Sequence, residues 1–174
     1  KAGTKKADEI HDYFIKLENI MFEITKEEGD ELKQQVLTLE NKNKKMEEKI
    51  IKQKELDNEK FLLKEYSTIG SIVYIIKVKT FENGQYIIKL GESRRGVKDR
   101  YNEHKSKYEE CLLLNCFEVD KSNEFETFLH THQNIHPNNV TNLQGHESEK
   151  ELFLIGATLT YQTLLKIIDD NINN

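Results

Sequence analysis

The chain is 174 residues long, enough for one ordinary domain plus an appendage. With 33% charged and only 36% hydrophobic residues it is too polar for a single compact globule, so part of it is expected to be an extended, solvated element. No apolar run reaches the roughly 18 residues of a membrane span, no secretory pattern opens the chain, and a net charge of -5 argues against broad electrostatic coating of nucleic acid.

The chain opens at Lys1 rather than at Met, and so reads as a fragment of something longer or a processed product. From about Ala7 to Glu65 it has no proline, a single glycine (Gly29) and alternating Lys/Glu with spaced apolar residues. Ile10, Phe14, Leu17, Met21 and Ile24, then Leu32, Val36, Leu39, Asn43, Met46 and Ile50, follow alternating steps of four and three. That spacing predicts a heptad seam whose register slips near Gly29. Asn43 falls at an a position, which favours parallel two-stranded pairing. The expectation is a long helix over residues 1–66 that forms a parallel homodimer through residues 7–65. A lone helix packed on its own domain, or a linker arm, is the competing reading.

Tyr66 to Gly70 breaks the helical pattern and opens a domain over residues 67–174. Two β-branched and aromatic runs follow, Ile72-Val73-Tyr74-Ile75-Ile76 and Tyr86-Ile87-Ile88-Lys89-Leu90, joined through Asn83-Gly84, a hairpin signal. Strict two-residue pairing about Asn83-Gly84 sets Tyr74 opposite Ser93; a bulge or a larger loop would change that register. A helix follows Gly96 with Val97, Tyr101, His104 and Tyr108 as its apolar stripe. Cys111 to Val119 reads as a third strand and Asn123 to about Gln133 as a short helix. Leu152 to Ile155 reads as a possible fourth strand. The last helix is capped by Thr158 or Thr160 and buries Tyr161, Leu164, Leu165, Ile168 and Ile172. This is an α+β fold: a small, mainly antiparallel sheet of three, possibly four, strands flanked by helices. Cys111 and Cys116, five apart along one strand, should face opposite sides of the sheet and stay reduced, as in an intracellular protein.

From Lys89 to Lys107 seven bases stand against three acids, a local excess that would centre phosphate binding on Arg94, Arg95, Lys98 and Lys105. Four further features occur in order. Tyr74 lies inside the first strand, Gly91 ends the second (Lys89-Leu90-Gly91), Arg100 and His104 form an R-x-x-x-H pair on the next helix, and Glu126 sits on the helix after strand three. Together, from about Ser71 to the C-terminus, they resemble the GIY-YIG nuclease domain, closest to the branch found in phages and large DNA viruses.

The resemblance implies a DNA endonuclease that uses one divalent ion, Mg²⁺ or Mn²⁺. Ile72-Val73-Tyr74 stands where the GIY motif stands and Lys89-Leu90-Gly91 where YIG stands, with Lys89 replacing a tyrosine. Arg100 matches the family's catalytic arginine, His104 falls where members carry His or Tyr, and Glu126 matches the metal-binding glutamate. These groups suit phosphodiester hydrolysis. A carboxylate holds a hard cation that keeps waters and binds phosphate, and a guanidinium forks onto phosphoryl oxygens. Tyr74, or a desolvated Lys89, is then the candidate base. Glu151 resembles a late acidic signature of the viral branch. The stretch Asp12 to Glu18 resembles the end of an upstream DNA-binding domain.

Two other functions stay open on the residues: a module of the same fold that binds DNA or regulates but has lost cutting, and a coiled-coil protein whose globular end binds another protein. Arg100 with Glu126 as a structural ion pair, His104 as a core histidine, and a zinc site from His130, His132, His136 and His146 are the local alternatives.

Overall fold

The computed structural model describes residues 2–172, with side chains from residue 6 onward. The elements are α1 (Ala2–Glu65), β1 (Ile72–Thr80), β2 (Tyr86–Ser93), α2 (Lys98–Lys107), β3 (Leu112–Glu118), α3 (Ser122–Thr131), β4 (Leu152–Ile155) and α4 (Tyr161–Asn171), with a 3₁₀ turn at His136–Asn138. The chain divides into two compact units, residues 1–51 and 52–174.

In the first unit the heptad positions Ile10, Phe14, Leu17, Met21, Ile24, Leu32, Val36, Leu39, Met46 and Ile50 are all exposed. Gly29 does not interrupt the helix. A helix this long has no core of its own to bury its apolar seam against.

The second unit is built on a four-stranded sheet in the order β3-β1-β2-β4, with every pairing antiparallel. The fold is therefore α+β, and the segment Leu152–Ile155 is the fourth strand. One face carries the last turns of α1 and α2, with Leu62, Val97, Tyr101 and Tyr108 packed on Ile72, Tyr74, Ile76 and Ile87. The other carries α3 and α4, with Leu129, Leu164, Ile167 and Ile168 packed on Val73, Ile75, Ile88, Leu90 and Phe153. Two covered faces explain why β1 reads as an unbroken apolar run instead of alternating, since neither side of the strand meets water. Thr160, not Thr158, caps α4, its hydroxyl accepting from the Thr163 amide at 3.1 Å.

The hairpin departs from two-residue geometry. Phe81 and Gln85 close a three-residue loop, through Phe81 N–H to the Gln85 carbonyl (2.8 Å) and Gly84 N–H to the Phe81 carbonyl (3.0 Å), with Gly84 at φ +82°. The pairing then shifts by one residue between Lys77 and Lys79, a bulge at Val78. The loop and the bulge each move the register by one, so Tyr74 stands opposite Gly91 and not Ser93.

The expectation that Cys111 and Cys116 face opposite sides is corrected. The β1–β3 register shifts between Ile75 and Ile76, and this irregularity turns Leu113, Cys116 and the preceding Cys111 into one cluster on the α2 face. Both are free thiols.

The outer edge of β3 is closed by α1. The buried Glu59 accepts from the Tyr101 hydroxyl (2.6 Å) and the Leu113 amide (3.0 Å), and Asn58 donates to the Leu114 carbonyl (3.2 Å). Side chains of the helix thus occupy strand groups that would otherwise invite another chain. β4, by contrast, pairs only from Tyr86 to Lys89, with one more bond from the Leu90 amide to the Glu151 carbonyl. Among the described residues no strand lies beside the outward edge of β2 from Gly91 to Ser93.

Candidate active site

The site gathers at that unpaired end of β2. Strand pleating points Tyr74 toward α2, and the directly opposed residue is Gly91. A Cβ on Gly91 would lie 2.4 Å from the Tyr74 hydroxyl and 2.5 Å from its ring. The phenol therefore lies flat over the glycine backbone, and only the absence of a side chain there permits it. Gly91→Ala is expected to lower stability by about 1–3 kcal/mol through overpacking and to displace the phenol. Thermal unfolding together with the Tyr74 ring signals in NMR would check this, and an unchanged Tm would count against the packing.

Tyr74 is buried, and its hydroxyl lies 2.8 Å from Nε2 of His104, also buried, on α2. Nδ1 of His104 is buried with no hydrogen-bond partner among the described residues. Burial, then the charges of Lys89 and Lys107, hold His104 down at about 4, so the imidazole is neutral at ordinary pH. Burial pushes the Tyr74 phenol well above its usual value. The Arg100 guanidinium pulls it back, while Glu151 and Glu126 add to the rise.

Arg100 lies one helical turn before His104, half exposed, with Nη1 donating to Glu103 at 3.1 Å. It pairs with Glu103 rather than with Glu126, so the structural ion pair between the two helices is not formed. Glu126 comes from the opposite layer. α3 is anchored at its start by Ser71, whose carbonyl accepts from the Val119 amide (2.9 Å) and whose hydroxyl accepts from the Ser122 amide (3.3 Å). From there the Glu126 carboxylate reaches the β2 edge, where the nearby backbone N–H of Glu92 favours its charged form. One turn on, His130 Nε2 lies 3.1 Å from the Leu90 carbonyl on the same edge. Burial, then the neighbouring Glu151 and Glu92 carboxylates, raise Glu126 to about 7.

Lys89 lies on the Tyr74 face, two pairs further along the hairpin, and is 6% exposed. Its ammonium donates to Glu149 Oε2 at 3.0 Å and to Glu151 Oε2 at 2.5 Å. That is the geometry of a donor held between two carboxylates, and it weighs against Lys89 and for Tyr74 as the candidate base.

Of the four bases expected to meet phosphate, Arg94, Arg95 and Lys98 are exposed, and Lys105, also exposed, sits with its ammonium 5.6 Å from the centre of the Tyr101 ring. Arg94 and Arg95 line a groove of about 450 Å³ with Arg100, but Glu92, Asp99 and Glu103 line it too. The basic excess read along the sequence is thus locally offset in space, which moderates the attraction for a phosphate chain.

The structure brings Tyr74, Arg100, His104, Lys89 and Glu126 to one end of β2. Sequence reasoning missed the groups that support them: Glu92, His130, Glu149, Tyr108 and His146. Glu92 directly follows the glycine, and Glu149 lies two residues before Glu151, the spacing that puts extended residues on one side; both signals were legible. Three of the four zinc candidates have other partners, His130 at the Leu90 carbonyl, His132 at the Asn134 amide and His146 at Glu149. Among the described residues, no three or more His, Cys, Asp or Glu side chains converge as a metal cluster. None of the described helices is long and apolar enough to cross a membrane.

Neither the curated proteins nor the solved structures gave a match to the chain. Residues 71–171, more than half of the chain and the whole of the sheet with the helices that carry the site, match the T5orf172 domain model, and the chain therefore belongs to the T5orf172 domain family, a phage-associated group related to nuclease-type folds.

Proposed function

We propose that the T5orf172 domain of this chain is a GIY-YIG-type endonuclease that hydrolyses DNA phosphodiester bonds with one divalent cation, Mg²⁺ or Mn²⁺. The observation that supports this best is the surroundings of the Tyr74 hydroxyl. A guanidinium from α2 (Arg100) and carboxylates from α3 (Glu126) and the residue before β4 (Glu151) are its strongest charged neighbours, although they lie far apart in sequence.

The residues fit a cation. Glu126 is half-buried and carries the repulsion of Glu92 and Glu151, a penalty that a bound positive charge removes. With Glu126 as its one protein ligand, the site would suit an ion that retains waters and can bind phosphate oxygen, as Mg²⁺ does. When bound it supplies stabilisation of the leaving oxygen as charge develops there. The chain's own groups do the rest. Arg100, half-exposed and free to turn from Glu103, orients the phosphate and neutralises its oxygens. Tyr74 takes the proton of the attacking water while its own proton passes to the neutral His104 Nε2 at 2.8 Å, so a phenol with a raised pKa need not ionise beforehand. Arg94, Arg95, Lys98 and Lys105 hold the flanking backbone. The exposed heptad seam with Asn43 pairs two copies in parallel through residues 7–65, carrying two cutting sites to one duplex, after an upstream DNA-binding domain. An intracellular setting suits the two free thiols.

Plasmid nicking with Mg²⁺, Mn²⁺ or EDTA tests the reading: cutting with either metal and none with EDTA is expected, and an uncut plasmid under all three overturns it. One observation favours a second reading, a DNA-binding module without cutting: Lys89, where the motif has a tyrosine, is committed to two carboxylates. Salt-dependent DNA binding with no nicking would select it.

The cation has a second readout. A carboxyl raised to about 7 in the folded protein, against 4.5 ordinarily, contributes stability below the lower value and loses it as pH rises through the higher one. Mg²⁺ replaces the missing proton, so its increase in Tm should be larger near pH 8 (roughly) than near pH 5.5 (roughly), and absent in Glu126→Gln. Equal increases at both values, or in the variant, would refute the assignment.

A further inference from the structure

Lys89 is an ammonium taken almost wholly out of water at the centre of a sheet, and such a charge needs compensation. The two carboxylates that reach it are not equivalent. Glu149 stands on the loop before β4, and its Oε2 accepts from both Lys89 (3.0 Å) and the Tyr108 hydroxyl, while its Oε1 faces His146 Nδ1 at 3.3 Å. The His146 ring stacks on the Tyr108 ring at 4.4 Å. Burial pushes the Glu149 carboxyl up, but the hydrogen bonds from Tyr108 and Lys89 overcome this and hold it at about 2. Glu151 is the more exposed of the two, at 41% against 21% for the side chains, and meets Lys89 through Oε2 alone.

Contacts continue inward from this hub. Tyr108 lies 6.1 Å, ring to ring, from His104, which in turn meets Tyr74. Glu149 therefore fixes two things at once: the Lys89 ammonium on the Tyr74 face and the aromatic wall behind the imidazole. We propose that Glu149 is the positioning residue of this site, holding Lys89 and Tyr108 against the Tyr74–His104 pair and leaving one oxygen of Glu151 uncommitted beside Glu126. The proposal rests on the nuclease reading for its effect on rate, but not for its effect on Lys89.

The test compares Glu149→Gln, Lys89→Met, the double variant, and Glu147→Gln on the same loop as control. In Mg²⁺-dependent nicking, Glu149→Gln should lower kcat by about 10–100-fold, the usual effect of losing an outer partner of a reactive group, with KM within about twofold. The double variant should be no slower than Lys89→Met, because both remove the same arrangement. Independently of cutting, the Lys89 ammonium should give a solvent-protected ¹H–¹⁵N signal in the wild-type chain and in Glu147→Gln, and lose it in Glu149→Gln. A kcat within about twofold of wild type, additive losses in the double variant, or an unaltered Lys89 signal would each overturn the proposal. Should Glu149→Gln fail to unfold cooperatively, Tyr108→Phe removes a single donor to the same oxygen. Its kcat should fall by about fivefold, the usual worth of one hydrogen bond, and an unchanged kcat would be equally fatal. If the wild-type chain cuts nothing, the nuclease reading fails, and the ammonium signal alone still decides whether Glu149 holds Lys89.

Discussion

Glu126→Ala is expected to abolish nicking while the protein still binds DNA. The cation that Glu126 would hold is worth several kcal/mol to the developing charge, and about 4 kcal/mol is about a thousand-fold in rate. The fold should tolerate the change. The carboxylate is half-buried and raised by burial and by Glu151 and Glu92, so its removal relieves a repulsion and gives up only the favourable influence of the Glu92 amide. Among the described residues no strand lies beside that amide, so water can partner it. Nicking rates and filter-retention DNA affinity, measured on the same preparation, separate the two effects. Full cutting by the variant would remove Glu126 from the cation site, and loss of binding together with cutting would make it a folding or contact residue instead.

Tyr74→Phe tests the proton path. The ring keeps its place over Gly91, so packing is preserved while the hydroxyl disappears. Loss of a positioned proton acceptor costs about 10²–10⁴ in rate. There is a structural cost too. His104 would be left with neither ring nitrogen partnered in a buried site, a penalty of about 1–3 kcal/mol. The wild-type pH profile carries further information: at saturating Mg²⁺, which displaces the Glu126 proton, the acid limb of kcat/KM should lie near the value of about 4 at which His104 is held. A Tyr74→Phe variant that cuts at the wild-type rate, or a limb at the ordinary histidine value of about 6.5, would exclude the relay from Tyr74 to His104.

Much of the fold was readable because its periodicities are strong. The heptad steps marked α1, and the apolar runs Ile72–Ile76 and Tyr86–Leu90 marked the central hairpin. The boundary residues Thr160 and Gly96 marked two helix starts. What the chain order could not carry was register. Asn83-Gly84 promised a two-residue turn, yet Phe81 and Gln85 close one residue further out and Val78 bulges, so the partner of Tyr74 moved by two positions. The cysteine pair failed for the same reason, a slip between β1 and β3. Within the candidate site the residues on motif spacings, and Glu149 by its place two before Glu151, could be named in advance, whereas the partners of Glu149 and His130 could not. Their roles depend on which edge of β2 they meet, and this is fixed by the length of β4 and by the crossing of α3, neither of which has a local signature.

The shortness of β4 also has a consequence for how this family can vary. Three more paired residues before Leu152 would bring a strand backbone to the Glu92 amide beside Glu126, and would displace His130 from the Leu90 carbonyl. The reactive corner would then be zipped shut without any of its side chains changing. Insertions just upstream of Leu152 should therefore be a more efficient way to silence the domain than most substitutions within it.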